Sequence, residues 1–471
     1  MKAFKDRGGT SRREFLAGCA GCPALALCAS PAVAASQGIE IPDEKPRIRL
    51  VFTHIPPEKP TWPYQGYDYE GRKKELTARL RQSCPGVEFL PATAHNADEG
   101  RKLLESDAEV DGYLIYMVGI WSGAGMAIAQ GGKPTLFVND LYAGCGEFLT
   151  AYARARRQGL KVAGVTSSRW EDVVQAVKTF ETLKKLKSSV ILDVTDRTPG
   201  ADAEAIAQVF GTVVERVSSE EINSAYQRAD RKEAEKWATA WIKGAARVVE
   251  PTREEIGKSG VMYVAMRDLM AARKAQAITV DCLNLFYGGK LPAYPCLGFF
   301  QLNDDGLVGA CEADLQSTIT MLAMTYLTGR PGYISDPVID TAKKQIIYAH
   351  CVAPSKVYGP NGARNPYHIR SHSEDRKGAA VRSLMPLGQV VSSLKFAPTR
   401  RQVVFHQART VANVEEDKAC RTKLAAEVQD PFKLLSEWDR WGWHRVTFYG
   451  DLRQPLETLA GLLGFEVIVE G

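Results

Sequence analysis

Beyond its N-terminal segment the sequence lacks closely paired cysteines, and it lacks sustained basic runs, internal repeats and low-complexity segments. Of its ten cysteines, Cys19, Cys22 and Cys28 lie near the N-terminus. The others, Cys84, Cys145, Cys282, Cys296, Cys311, Cys351 and Cys420, are scattered. An odd number without short spacings excludes a zinc ribbon and a disulfide scaffold. Most are expected to be small buried hydrophobes, and one or two disulfides stay open in an oxidising compartment. The net charge is only +5, and no basic run is interleaved with exposed aromatics, so nucleic acid is excluded as a partner. Lys184-Lys185-Leu186-Lys187 reads as a solvated helix end.

Several familiar catalytic patterns are missing too. Gly123, Gly125, Gly131 and Gly132 follow a strand pattern but do not make G-x-G-x-x-G, and no acid stands where a dinucleotide fold needs one. A tight strand-to-helix connection is expected there. Ser122 lacks the glycine two positions earlier that a nucleophile elbow requires. Asn303-Asp304-Asp305-Gly306 reads as a turn, without the long ligand set of a calcium loop.

What is present begins at the N-terminus. Ser11-Arg12-Arg13-Glu14-Phe15-Leu16 has a twin-arginine export pattern, followed by a modest apolar segment and an Ala32-Val33-Ala34 cleavage site. Residues 1–35 are therefore expected to be a signal peptide, with periplasmic export and no membrane association after its removal.

A chain of 471 residues with 45% hydrophobic and 24% charged residues is expected to fold as two or three soluble domains. Short apolar strands alternate with helical stretches from Ile48 to Val165, which predicts a parallel sheet flanked by helices over 47–170. A second α/β domain is expected over 171–351. It includes a long charged helix from about Ser219 to Val248, and another over Glu255–Gln276 interrupted near Gly260. Residues 352–471 read as mostly strand, with a short helix from Pro455 to Leu463. The fold class is thus α/β, two Rossmann-like parallel-sheet domains followed by a β-rich C-terminal domain.

The stretch from Gly309 to Cys351 carries the chemistry. A short strand ends at Cys311-Glu312-Ala313-Asp314. Leu315, Ile319, Leu322, Ala323 and Tyr326 then recur at helical spacing, and Gly329 with Pro331 stops that helix. The next strands carry Asp336 and deliver His350. Glu312 alone could be an acid at a helix start, with Asp314 sharing that role. Two carboxylates converging in an apolar environment repel one another unless a cation lies between them, and carboxylate with imidazole suits manganese or magnesium.

The Cys-Glu-x-Asp before the apolar helix, the acid on the next strand and His350-Cys351 resemble the L-fucose and L-arabinose isomerase family. Trp441-Gly442-Trp443-His444 ahead of Val446–Asp451 resembles that family's glycine-histidine strand. The resemblance implies Glu312, Asp336 and His444 as manganese ligands, His350 as a further ligand, and Glu312 and Asp336 as the acid/base pair of aldose–ketose isomerisation through a cis-enediol. Which carboxylate is the base stays open. In Tyr367–Glu374 it also implies His372 as a sugar-pocket residue, against a solvated loop. It further implies a small-molecule sugar partner and a homo-oligomer, trimer or hexamer. An exported sugar-binding or sensing protein that keeps the fold without turnover is the second reading.

Overall fold

The computed structural model describes residues 38–198 and 200–471. The proposed signal peptide lies outside the described residues. Five strands, β1 (Arg47–Thr53), β2 (Glu88–Ala94), β3 (Gly112–Met117), β4 (Thr135–Asn139) and β5 (Val162–Val165), form an all-parallel sheet in the order β2-β1-β3-β4-β5. β3 and β4 are buried along their whole length, as a parallel strand covered by helices on both faces requires.

The next strands are β6 (Val190–Val194), β7 (Val213–Val217), the two-residue β8 (Arg247–Val248), β9 (Ala277–Val280) and β10 (Val308–Cys311). All but β8 make a second parallel sheet, in the order β10-β9-β6-β7. The remaining strands are β11 (Tyr333–Asp340), β12 (Gln345–His350), β13 (Tyr367–Arg370), β14 (Ala380–Ser383), β15 (Val390–Ala397), β16 (Gln402–Asn413), β17 (Thr422–Glu427), β18 (Arg445–Tyr449) and β19 (Glu466–Val469). Six of them close an antiparallel barrel, β15-β18-β11-β12-β17-β16 and back to β15, with β19 added parallel to β16. β8, β13 and β14 form a small side sheet. The fold class is therefore as expected: two parallel-sheet α/β units and then a β-rich unit. β11 and β12, grouped with the second domain on sequence, pair within the barrel.

Three local expectations need correction. The charged stretch 219–248 is not one helix but two, Ser219–Arg228 and Arg231–Gly244. The break falls at Asp230, whose carboxylate caps the second by accepting from Lys232 N and Glu233 N. Arg253–Ala272 runs without interruption through Gly260. A Cβ at that glycine would sit 2.5 Å from Ala234 O, so the glycine permits close helix packing rather than ending the helix. The expected turn at 303–306 holds for Asp305 and Gly306, closed by Gly306 N on Asn303 O, whereas Asn303 and Asp304 belong to the helix Cys296–Asp304. Both are fully buried: Asn303 pairs with the backbone of Gly309, and Asp304 accepts from Ser355 N and Lys356 N.

The helix Leu315–Thr328 lies at the centre of the molecule and packs against β10 and β15. Its threonines are satisfied inside: Thr318, Thr320 and Thr328 donate to carbonyls four residues back, and Thr320 Oγ1 accepts from Phe396 N of β15. Gly329, in the left-handed region at φ 67°, caps its C-terminus. This buried helix fixes the strand end that precedes it, and the carboxylates there, against the barrel wall. Among the described residues no helix is long and apolar enough to cross a membrane.

Candidate metal centre

Glu312 and Ala313 leave β10 in the left-handed region, at φ 66° and 50°. That conformation costs a non-glycine residue about 1–2 kcal/mol. The turn is held by Ala313 N on Val280 O and Asp314 N on Cys311 O, and Arg197 reaches the Glu312 carbonyl. Strain of this kind persists where surrounding structure overdetermines it, often at functional sites. Here it aims Glu312 at the barrel. Asp314 then caps the central helix, accepting from Ser317 N at 2.9 Å.

Three more groups come from the barrel. Asp336 lies on β11, His350 ends β12 and His444 directly precedes β18. The imidazole nitrogens of His350 and His444 and a carboxylate oxygen of Glu312 lie within 4.8 Å of one another. His444 Nε2 is 3.5 Å from Glu312 Oε2 and 3.2 Å from Asp336 Oδ1, so both carboxylates reach the same ring nitrogen. His350 Nε2 is 3.7 Å from Glu312 Oε1. Both histidines are buried, and neither Nε2 has a hydrogen-bond partner. Buried polar atoms without partners are rare and ask for a ligand.

The other nitrogen of His444 is fixed. Nδ1 lies 3.0 Å from Asp314 Oδ2, which also accepts from Lys395 Nζ at 2.9 Å. With the proton on Nδ1 donated to Asp314, the Nε2 lone pair faces Glu312 and Asp336. A carboxylate behind a histidine in this way sets tautomer and ring orientation in metal sites. Trp443 Nε1 donates to Asp336 Oδ1 at 2.7 Å and orients that carboxylate.

Charge is tightly balanced. Burial alone would raise the pKa of Asp336, but contact with His444, the nearby His350 and the Trp443 indole outweigh it and bring it down to about 2. Burial opposes a charged His444, yet its bond to Asp314 and the adjoining Asp336 and Glu312 push it up to about 9. Against burial, His350 shifts up beside Glu312 and Asp336, while Glu312 shifts down beside the two histidines. Each histidine is thereby biased toward its protonated form and each carboxylate away from its own. A divalent ion can take the place of those protons, because ligand groups bind metal in their deprotonated form.

Of the residues named on sequence, Glu312, His350 and His444 come together as one ligand group, and Asp336 adjoins them. His372 stands apart from that group: its ring stacks on Tyr294 at 4.4 Å, and Nδ1 faces Asp375 at 3.5 Å. Sequence reasoning gave Asp314 only a helix-start role and missed Lys395 and the Trp443 contact. That helix-start role explained Asp314 away. Lys395 carries no local signal, since it arrives from a strand 81 positions further on. Replacing Asp314 by Asn should leave the helix capped but weaken the hold on His444. Divalent-metal affinity, read by calorimetric titration of the chelated protein, should fall about 10–100-fold.

No family model matches the chain. It is 24% identical over 185 residues to the sulfoquinovose isomerase of Alkalicoccus urumqiensis, covering 37% of this chain and 41% of that protein. It is 24% identical over 294 residues to the sulfoquinovose isomerase of Clostridium sp. strain MSTE9, covering 57% and 60%. To that of Priestia aryabhattai it is 23% identical over 316 residues, covering 64% and 68%. The chain therefore spans less than two thirds of the first two relatives it matches. A periplasmic solute-binding protein from Actinobacillus succinogenes with bound D-allose aligns over 52% of this chain and 83% of that one, at 13% identity. Its TM-score of 0.17 is too low to bear on the fold. The relatives that the chain resembles in sequence are thus sugar isomerases, at low identity.

Proposed function

We propose that this protein is a metal-dependent aldose–ketose isomerase, with Glu312, His350 and His444 as metal ligands joined by Asp336, and with Glu312 and Asp336 as the acid/base pair. The observation that carries the reading is the pair of buried Nε2 atoms that make no well-directed hydrogen bond and face only carboxylate oxygens, within ligand distance of one another. The likeness to sulfoquinovose isomerases supports it independently. The donor set of imidazole and carboxylate suits manganese, the proposed ion.

A bound cation would polarise the sugar carbonyl and stabilise the negative charge that develops on its oxygen. The protein's own groups do the rest. Both carboxylates are held below their usual range, so each is ionised at neutral pH and able to accept a proton. One takes the proton from the carbon beside the carbonyl while the carbonyl oxygen gains a proton, giving a cis-enediol; loss of the neighbouring hydroxyl proton and return of a proton to the former carbonyl carbon then give the ketose. Trp443 keeps Asp336 in place, and Asp314 with Lys395 keeps His444 in place. In this proposal the mature chain works after twin-arginine export, as a homo-oligomer.

The test is bound-metal analysis of protein purified without chelator, followed by reaction in deuterated water with sulfoquinovose, L-fucose, L-arabinose and other aldoses. Manganese-dependent ketose carrying deuterium beside the carbonyl is the expected result. Sugar binding without turnover across the panel would overturn the enzyme reading.

A further inference from the structure

Two thiols lie beside this site without a part in the chemistry above. Cys351 follows His350 at the end of β12, and Cys420 precedes β17. These strands pair antiparallel, with His350 opposite Thr422, which sets the two cysteines diagonally across the ladder. The chain turns through the left-handed region at Ala419, φ 61°, immediately before Cys420. Cys351 Sγ accepts from Arg421 N at 3.5 Å, so its sulfur is turned toward the β17 side. The Ser373 hydroxyl touches both sulfurs, at 4.0 Å from Cys351 and 3.9 Å from Cys420. Cys420 in turn donates to Asp336 Oδ2 at 3.5 Å.

We propose that Cys351 and Cys420 are a redox-modification site, a dithiol that closes reversibly to a disulfide and thereby perturbs the Asp336–His350 side of the metal centre. Cys420 is partly exposed whereas Cys351 is buried, so a soluble oxidant meets Cys420 first. With a low-molecular-weight disulfide such as oxidised glutathione, the Cys420 sulfur attacks and releases one glutathione thiol, leaving a mixed disulfide. Cys351 then attacks the Cys420 sulfur and releases the second. Two protein thiols and one glutathione disulfide become one protein disulfide and two glutathione thiols. Closure removes the S–H that Asp336 accepts and pulls the residue next to His350 toward the β17 side. Cys282, Cys296 and Cys311 are all buried, so a dissolved oxidant has no comparable point of entry to them.

The effect on the metal centre rests on the metal reading above; the crosslink does not. The full chain is incubated with oxidised glutathione, its remaining thiols are alkylated under denaturing conditions, and its peptides are mapped without reduction. The expected result is a dithiothreitol-reversible Cys351–Cys420 link, with manganese affinity at least tenfold lower than in the reduced protein. Cys351→Ser should stop at a glutathione adduct on Cys420. Cys420→Ser should form no link, and its manganese affinity should ignore the oxidant. Full alkylation of both cysteines after oxidation, or an adduct on Cys420 that never resolves in the native protein, would overturn the proposal. A mapped link with unchanged manganese affinity would overturn its control of the site. If the reduced protein binds no manganese at all, the metal reading fails, and the crosslink alone decides this one.

Discussion

Glu312→Gln should abolish metal-dependent ketose formation while leaving the fold intact. The substitution keeps the size of the side chain and removes its charge, so the left-handed turn at 312–313 has no steric reason to change. Two functions are lost together. The amide cannot accept a proton from carbon, a contribution typically worth 10²–10⁴-fold. It also offers a weaker, neutral donor beside two histidines that Glu312 now balances. Turnover should fall by about 10³-fold or more, read as ketose formed per metal-loaded site. Retained turnover in a correctly folded variant would remove Glu312 from the acid/base pair.

The second large effect lies behind the site. Arg445, the residue after His444, is fully buried and pairs with Glu470 through Nε at 2.8 Å and Nη2 at 2.9 Å. Its other donors hold the carbonyls of Trp438, Gly442 and His444. Glu470 also contacts His406 Nδ1 at 2.9 Å, and His406 Nε2 meets the Tyr348 hydroxyl of β12 at 2.8 Å. Removing one partner of a buried pair leaves the other charge uncompensated. Glu470→Ala should therefore cost about 3–5 kcal/mol, a large share of the roughly 5–15 kcal/mol that holds a domain folded. The measurement is the urea unfolding midpoint, with metal affinity followed alongside.

The same pair predicts an acid limb. Burial works to raise the pKa of Glu470, but His406 and Arg445 prevail and bring it down to about 2 from an ordinary 4.5. A carboxylate depressed on folding stabilises above its unfolded value, so this contribution is present above about pH 4.5 and lost as pH falls toward 2. Glu470→Gln should flatten the difference in stability between pH 5 and pH 2.5 relative to the native chain.

The parallel sheets were legible because strand and helix alternate with short apolar runs, and the central helix because its apolar spacing ends at Gly329-Arg330-Pro331. Glu312, Asp336 and His444 were reached through the order of motifs, since each alone has an ordinary structural explanation. What stayed hidden depends on partners far away in the chain. Asp314 is an acid at a helix start in sequence and becomes the anchor of His444 only when β15 and the start of β18 close over it. Gly260 reads as an interruption until the Ala234 carbonyl beneath it is known. β11 and β12 look like a continuation of the second parallel domain, because antiparallel barrel pairing leaves no local mark distinct from a short buried strand. Asp230 is the exception: its capping signal was in the sequence and was passed over for the length of the charged stretch.

The ligand group is drawn from both sides of a seam. Glu312 and Asp314, the anchor of His444, belong to the second parallel sheet and its helix, whereas Asp336, His350, His444 and Lys395 belong to the barrel. A cation held there would act as a clasp, one more tie across a boundary already bridged by the β8–β13 pairing and by the Asp304 bonds to Ser355 and Lys356.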